Sequence, residues 1–341
     1  MLKNKFLPVL LFILLFWAGC GSNSNQLSKV TFRGEVFGTY YTISYFEEEA
    51  SNYQQEIDSL LEDFNQSLSY YQPNSVVSRI NRNETDATDE YFRTVFQRAQ
   101  QISETTGGAF DVTVAPLVNA WGFGFKEKET MTPEKVDSLK KLVGYERVSL
   151  VGQRIVKQDP AIQFDFNSIA KGYAADVVGA FLQEQGIDTY MVEIGGDLMV
   201  KGLKPDGSQW RIGMEKPADS SDDPQDWDFY VELKDQAVAT SGNYRRYYEE
   251  DGQRYSHTID PVTGYPVSHN LLSVSVFAPD AMTADAYATA FMVMGLQRAI
   301  EYVERNQQLE AYFIFSDGPG TYGTYATPGL ELLNRENLQD L

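Results

Sequence analysis

The stretch "TYMVEIGGDLMVKG", residues 189–202, decides the fold. Strand-forming residues stand on both sides of Gly195-Gly196, and paired glycines supply the positive φ that a tight hairpin turn needs. Residues 189–278 continue in this manner, with turn signals at Asp206-Gly207, Ser241-Gly242, Asp251-Gly252 and Thr263-Gly264. Such a run predicts a mostly antiparallel meander. Residues 29–46 add two strands or one bent strand, and residues 310–316 a last strand before a Gly/Thr-rich tail.

Helical patterns lie outside that run. Ile57, Leu60, Leu61, Phe64 and Leu68 fall at helical spacing in residues 51–68. Residues 88–106 form a second amphipathic helix, stopped by Gly107-Gly108, and Thr132-Pro133 opens a third with proline at its first position. Residues 168–185 put Ile169, Tyr173, Val177 and Phe181 on one stripe, and residues 281–295 are helical from about Thr283. Segregated helices and strands predict α+β, a mostly antiparallel sheet with packed helices, and not a doubly wound sheet.

The formal charge of −20 argues against nucleic acid as a partner, because phosphate binding needs clustered Lys and Arg. An anionic substrate would need local positive charge from a lysine, a helix N-terminus or a metal. The single cysteine, Cys20, excludes an internal disulfide. It follows a basic start (Lys3, Lys5) and an apolar run from Phe6 to Trp17. That run has the length of a signal peptide. Ala18-Gly19-Cys20 reads as a lipobox, although Trp17 replaces its usual small aliphatic residue. The expected organisation is a signal peptide over 1–20 ending at a lipidated Cys20, a tether over 21–28, and a folded domain over 29–341. The expected location is the outer face of a bacterial cytoplasmic membrane, lipid-anchored.

Four stretches carry oxygen-rich or glycine-bounded chemistry. "GGAFDVTVAPLVNAWGFG" (107–124) reads as a core loop around Trp121 or as a cradle for a planar ring. "FDFNSIAKGYAAD" (164–176) ends a strand at Asp165 and starts a helix near Asn167 or Ser168. Such a helix start is a capped terminus or an anion site, where Lys171 adds charge. In "MTADAYATAFMVMG" (282–295), Asp285 and Thr289 are four apart and share a helix face. They are a first-turn carboxylate and a helix-bonded hydroxyl, or two hard oxygen donors of the kind Mg²⁺ takes. In "YSHTIDPVTGYPV" (255–267), strand alternation puts Tyr255, His257 and Ile259 on one face before a tight turn. His257 is a packing residue or a base; His269, the other histidine, reads as a surface residue.

Taken in order, eight segments resemble the ApbE family, the FAD:protein FMN transferases. They are "FGTYYTI" (37–43), "LSYYQPNSVVSRIN" (68–81), "AFDVTVAPLVNAWGFG" (109–124), "DFNSIAKGYAAD" (165–176), "VEIGGDL" (192–198), "TSGNYRRYYEEDG" (240–252), "SHTIDPVTGYPV" (256–267) and "ADAYATAFMVMG" (284–295). The resemblance implies an ApbE-like α+β unit related to the tunnelling fold. It implies Mg²⁺-dependent transfer of FMN from FAD to a Thr or Ser hydroxyl, with AMP leaving. It implies a flavin site of Phe37, Tyr71, Ala109, Phe110, Asp111, Asp165, Lys171 and Ile259. Metal ligands would be Ser168, Asp285 and Thr289, and His257 the base. Phe37 stands where the family usually has Met, and Ala288 where some members offer a carboxylate. Implied acceptors are subunits of membrane redox complexes, of the Na⁺-translocating NADH:quinone reductase or Rnf type. An FAD pyrophosphatase and a non-catalytic flavin-binding lipoprotein are the alternatives.

Overall fold

Alternation around Gly195-Gly196 forms the expected hairpin, and the rest of the sheet grows from it. The computed structural model describes residues 27–124, 128–215, 227–243, 247–250, 253–318 and 321–333. The chain opens with strands β1 (Ser28–Val36) and β2 (Thr39–Glu47). Helices α1 (Gln54–Leu68), α2 (Val76–Asn81), α3 (Glu90–Thr105), α4 (Ala115–Ala120) and α5 (Pro133–Lys140) follow. A hairpin of β3 (Val148–Val151) and β4 (Arg154–Lys157) precedes α6 (Ala170–Glu184). Next come β5 (Tyr190–Ile194), β6 (Asp197–Lys201), β7 (Trp210–Glu215), β8 (Trp227–Leu233) and β9 (Gln236–Gly242). The hairpin of β10 (Tyr247–Glu250) and β11 (Gln253–Ser256) leads to β12 (Leu271–Ala278). The last elements are α7 (Ala281–Met294), α8 (Leu296–Val303), β13 (Glu310–Gly318) and β14 (Thr321–Ala326).

Eight strands form one sheet in the order β1-β2-β5-β6-β9-β12-β13-β14. Each neighbouring pair is antiparallel. One face carries the main core, where Tyr41, Ile43, Val192 and Ile194 of the sheet meet Phe64, Phe92, Ala174, Val178 and Phe291 of the helices. The β7–β8 hairpin covers part of the other face with Trp210, Met214, Phe229 and Val231. A third cluster joins Leu117, Trp121, Val136, Val143 and Ile259 beneath the segment after β11.

Several expectations change. Ser241-Gly242 is not a turn: both residues lie in β9, opposite Val274 and Ser273. Asp251-Gly252 lies outside the described residues, as do Cys20, the signal segment and most of the tether. The Gly/Thr-rich tail forms β14, because Tyr312–Ser316 offer it a free sheet edge. β11 stops at Ser256, so His257 follows the strand rather than sitting in it. α6 starts at Ala170 behind Ile169, which makes no side-chain cap bond, so the polar cap expected at Asn167 or Ser168 is not formed. Its stripe is buried at Ile169 and Tyr173 but only half-buried at Val177 and Phe181. The deepest face is Ala174, Ala175, Val178 and Leu182, since α6 packs against α1, α7 and β5 together.

Candidate functional site

A cleft of about 2050 Å³ opens along one side of the sheet. All twelve residues singled out from the sequence line it: Phe37, Tyr71, Ala109, Phe110, Asp111, Asp165, Ser168, Lys171, His257, Ile259, Asp285 and Thr289. They come from six segments that only folding brings together.

The charged end is built on α6 and α7. Their crossing is close at Gly172, where a Cβ would sit 2.1 Å from the Ala281 carbonyl oxygen. Only glycine fits there, and the approach lets each helix tie down the other. Asp285 Oδ2 accepts the Gly172 amide at 3.1 Å. In return, Asp176 of α6 accepts the amides of Ala281 and Met282, both at 2.8 Å, at the start of α7. Burial and nearby Asp280 push the Asp176 carboxyl up to about 7. Asp285 therefore lies one turn into α7 and is 4% exposed; it is not the exposed first-turn carboxylate of the simpler reading. Its Oδ1 is 4.0 Å from Lys171 Nζ. The Thr289 hydroxyl lies one turn further on, 3.4 Å from Ser241 Oγ of β9. Ala288 is fully buried in the core, so the position without a carboxylate is filled by packing.

Asp197, the first residue of β6, was not selected from the sequence although it stands in "VEIGGDL". Its carboxylate is buried and contacts Lys171 Nζ directly. Burial and Asp285 push its carboxyl up to about 7, against the opposing pull of Lys171 and the Thr240 amide. No local signal marks it in the sequence, where a carboxylate after two glycines reads as an ordinary turn residue.

The other carboxylates mainly hold backbone. Asp111 Oδ1 accepts the amide and hydroxyl of Thr113, and Oδ2 accepts the Tyr145 amide at 2.7 Å. Burial nevertheless pushes its carboxyl up. Asp165 accepts the Asn167 amide at 2.8 Å and the Tyr70 hydroxyl, and burial pushes it up to about 6. The Tyr70 ring lies 4.4 Å from the Tyr71 ring at a tilt of 45°, and Tyr71 is 57% exposed on the cleft lining. Phe37 turns the β1–β2 hairpin with a positive φ of 54°, a conformation costly for a bulky residue, and packs 5.6 Å from Phe64.

The segment after β11 is held from two sides. Asp260 Oδ1 accepts the Val262 amide at 2.8 Å, and its own amide bonds the Tyr265 carbonyl. Gly264 closes the turn at φ 81°. Its carbonyl accepts the Trp121 indole N–H at 2.9 Å. Trp121 is packed core, the first of the two readings of the 107–124 loop, and it also anchors the turn that follows His257. The His257 ring lies 6.5 Å from the Phe123 ring, edge to face. His269 is not a plain surface residue. Its Nε2 is 2.7 Å from the Met292 carbonyl oxygen and it packs at Gly295, so it closes the C-terminus of α7.

Among the described residues, no group of three or more His, Cys, Asp or Glu side chains could hold a metal alone. The donors at Asp285 and Thr289 nevertheless fit Mg²⁺. That ion takes one or two carboxylates and leaves positions for phosphate oxygens and water.

Residues 37–313 match the ApbE family. The chain belongs to the ApbE family. It is 42% identical over 303 residues to the FAD:protein FMN transferase of Vibrio cholerae, covering 86% of this chain and 89% of that one. It is 33% identical over 331 residues to the FAD:protein FMN transferase of Escherichia coli, covering 92% and 93%. The solved structure of the flavin transferase ApbE from Vibrio cholerae superposes with a TM-score of 0.79 at 39% identity, over 89% of this chain and 98% of that one. The ApbE fold here is the expected α+β unit with a mostly antiparallel sheet.

Proposed function

We propose that this ApbE chain transfers FMN from FAD to a Thr or Ser hydroxyl of an acceptor protein and releases AMP. The observation that carries the reading is one cleft with a cationic and oxygen-donor end at Lys171, Asp285 and Thr289 and an imidazole, His257, on its lining. Relatives of similar length bear the name of this reaction. The hydroxyl oxygen forms a new P–O bond to the FMN phosphorus. The bridging P–O bond of the pyrophosphate breaks, and AMP keeps the bridging oxygen. His257, an imidazole on the cleft lining, takes the hydroxyl proton as general base. Asp285, Thr289 and Ser168 would hold Mg²⁺, which when bound supplies neutralisation of the pyrophosphate charge. Lys171 adds a fixed positive charge beside it. Phe37, Tyr71, Ala109, Phe110 and Ile259 would wall the flavin, while Asp111 and Asp165 set the loops those walls stand on. The cleft exceeds the ~300–1,000 Å³ of ordinary small-molecule pockets, which suits FAD together with an acceptor segment.

The test is incubation with FAD, Mg²⁺ and a Thr-containing acceptor fragment, followed by intact mass. A gain of one FMN on the acceptor is expected. Free FMN and AMP without a mass gain would make the chain an FAD pyrophosphatase, and unchanged FAD would leave a flavin-binding protein. Cys20 is proposed to carry lipid and to hold the domain on the outer face of the cytoplasmic membrane, near acceptor subunits of the Na⁺-translocating NADH:quinone reductase or Rnf type. Cys20→Ser should then yield a protein without lipid mass, whereas wild type that retains residues 1–20 unlipidated would refute the anchor.

A further inference from the structure

Two buried carboxylates, Asp197 and Asp285, face one ammonium. Asp197 is 1% exposed and Asp285 4%. Lys171 Nζ does not share itself equally. It contacts Asp197 Oδ2 directly and stands 4.0 Å from Asp285 Oδ1. The asymmetry has a structural cause. Asp197 is held in the middle of the sheet between β5 and β9. The Lys171 stem runs past Gly195, where a Cβ would come within 3.3 Å of its Cδ. The left-handed glycine turn before Asp197 thus leaves a slot for the lysine stem and delivers the carboxylate at the end of it. Asp285 keeps one oxygen on the Gly172 amide and turns the other toward Lys171.

A buried carboxylate with an ammonium free to close on it would form a tight pair and lose its capacity for a divalent ion. Both cations seek the same oxygen. Resting on the Mg²⁺ and pyrophosphate reading above, we propose that Asp197 is a positioning residue that holds Lys171 off Asp285 and so keeps Asp285 available to the cation. Lys171 stays at the cleft wall, where its charge can face an anionic substrate. In this arrangement Lys171 competes with the cation for Asp285, and Asp197 sets how strongly.

The test titrates MgCl₂ into the FAD-free full-length protein in detergent, followed by calorimetry. Asp197→Asn keeps the shape and lets Lys171 move onto Asp285; Mg²⁺ affinity should fall tenfold or more. Lys171→Met removes the competitor, and affinity should rise. The decisive arm is the double variant. With Lys171 gone, Asp197→Asn should change Mg²⁺ affinity less than threefold, because Asp197 acts through the lysine. An equal loss in both backgrounds would overturn the proposal, since Asp197 would then act on the cation directly. No loss in Asp197→Asn, or no Mg²⁺ binding by either wild type or Lys171→Met, would overturn it too. Asp285→Ala is the separate control. If it binds Mg²⁺ like wild type, the metal reading itself fails; if it abolishes binding while the double variant behaves additively, only the role of Asp197 fails. Thermal melts accompany each variant, and Asp197→Ser replaces Asp197→Asn if that protein does not fold.

Discussion

The two ends of the cleft are built on opposite plans. The charged end rests on α6 and α7, whose backbones touch at Gly172 and whose carboxylates each accept amides from the other helix. The imidazole end rests on a loop beyond a two-stranded hairpin that is no part of the main sheet. That loop is fixed by an Asp260 turn and one indole hydrogen bond. Groups that must hold charge in a dry site need a stiff frame, because small displacements of a buried carboxylate change its energy steeply. The base proposed at His257 would meet an incoming protein segment, and so needs a set position but also access. Stability and chemistry should therefore be coupled at the first end and separable at the second.

The largest effect is expected from Asp285→Ala. It removes the carboxylate proposed for Mg²⁺, so transfer and FAD hydrolysis should both fall below detection by product chromatography. It also strands the buried Gly172 amide, so stability should drop by about 1–3 kcal/mol. A fully stable Asp285→Ala protein would break the claim that the charged end is coupled to the frame. His257→Ala comes next. Transfer should fall by roughly 10²–10⁴-fold, the usual range for loss of a general base. Its melting point and FAD affinity should stay near wild type, because His257 is half-buried and lies outside the main sheet. Wild-type transfer rates in this variant would return His257 to a packing role.

Trp121→Phe tests the indole clamp. It deletes one buried hydrogen bond to Gly264, worth about 0.5–1.5 kcal/mol, and loosens the turn after His257. The rate with saturating FAD should fall about tenfold, with little change in FAD binding, as expected when a base is displaced rather than removed. An unaltered rate would mean that the hairpin positions His257 without help. The smallest effect on transfer is expected from a change that acts on the pH dependence of stability. The Asp176 carboxyl is raised in the fold to about 7, so the folded state holds a proton that the unfolded chain releases near its lower, ordinary value. Its contribution to stability is full below about pH 4 and is lost as pH rises toward 7. Asp176→Asn should flatten the slope of unfolding free energy between those limits by up to about 1.4 kcal/mol per pH unit, measured by urea melts. An unchanged slope would show that Asp176 is ionised throughout and pairs with the α7 amides as a full charge.

Local chemistry made much of this legible beforehand. Thr132-Pro133 starts α5 as expected, because a proline at the first helical position and a hydroxyl before it act within one turn. The Gly195-Gly196 hairpin is equally local. Errors arose where neighbours in space took over. Ser241-Gly242 has the composition of a turn, yet β12 supplies it with strand partners. The α6 start lacks its polar cap because Asp285, more than a hundred residues away, accepts one of its amides. Asp197 was passed over because nothing local distinguishes a carboxylate after two glycines from an ordinary exposed turn residue. Its importance lies in Lys171, which comes from a different element.

The sequence by itself determined most of the elements and the antiparallel class, through periodicity and turn chemistry, and the order of eight motifs, through resemblance to a family, pointed to the twelve residues that line the cleft. Tertiary structure alone decided which carboxylates are buried, which amide or ammonium each one meets, and that a tryptophan from one loop holds the turn of another. Burial and pairing depend on distances between segments far apart in sequence, and the free energy of a charge is set by what surrounds it in space.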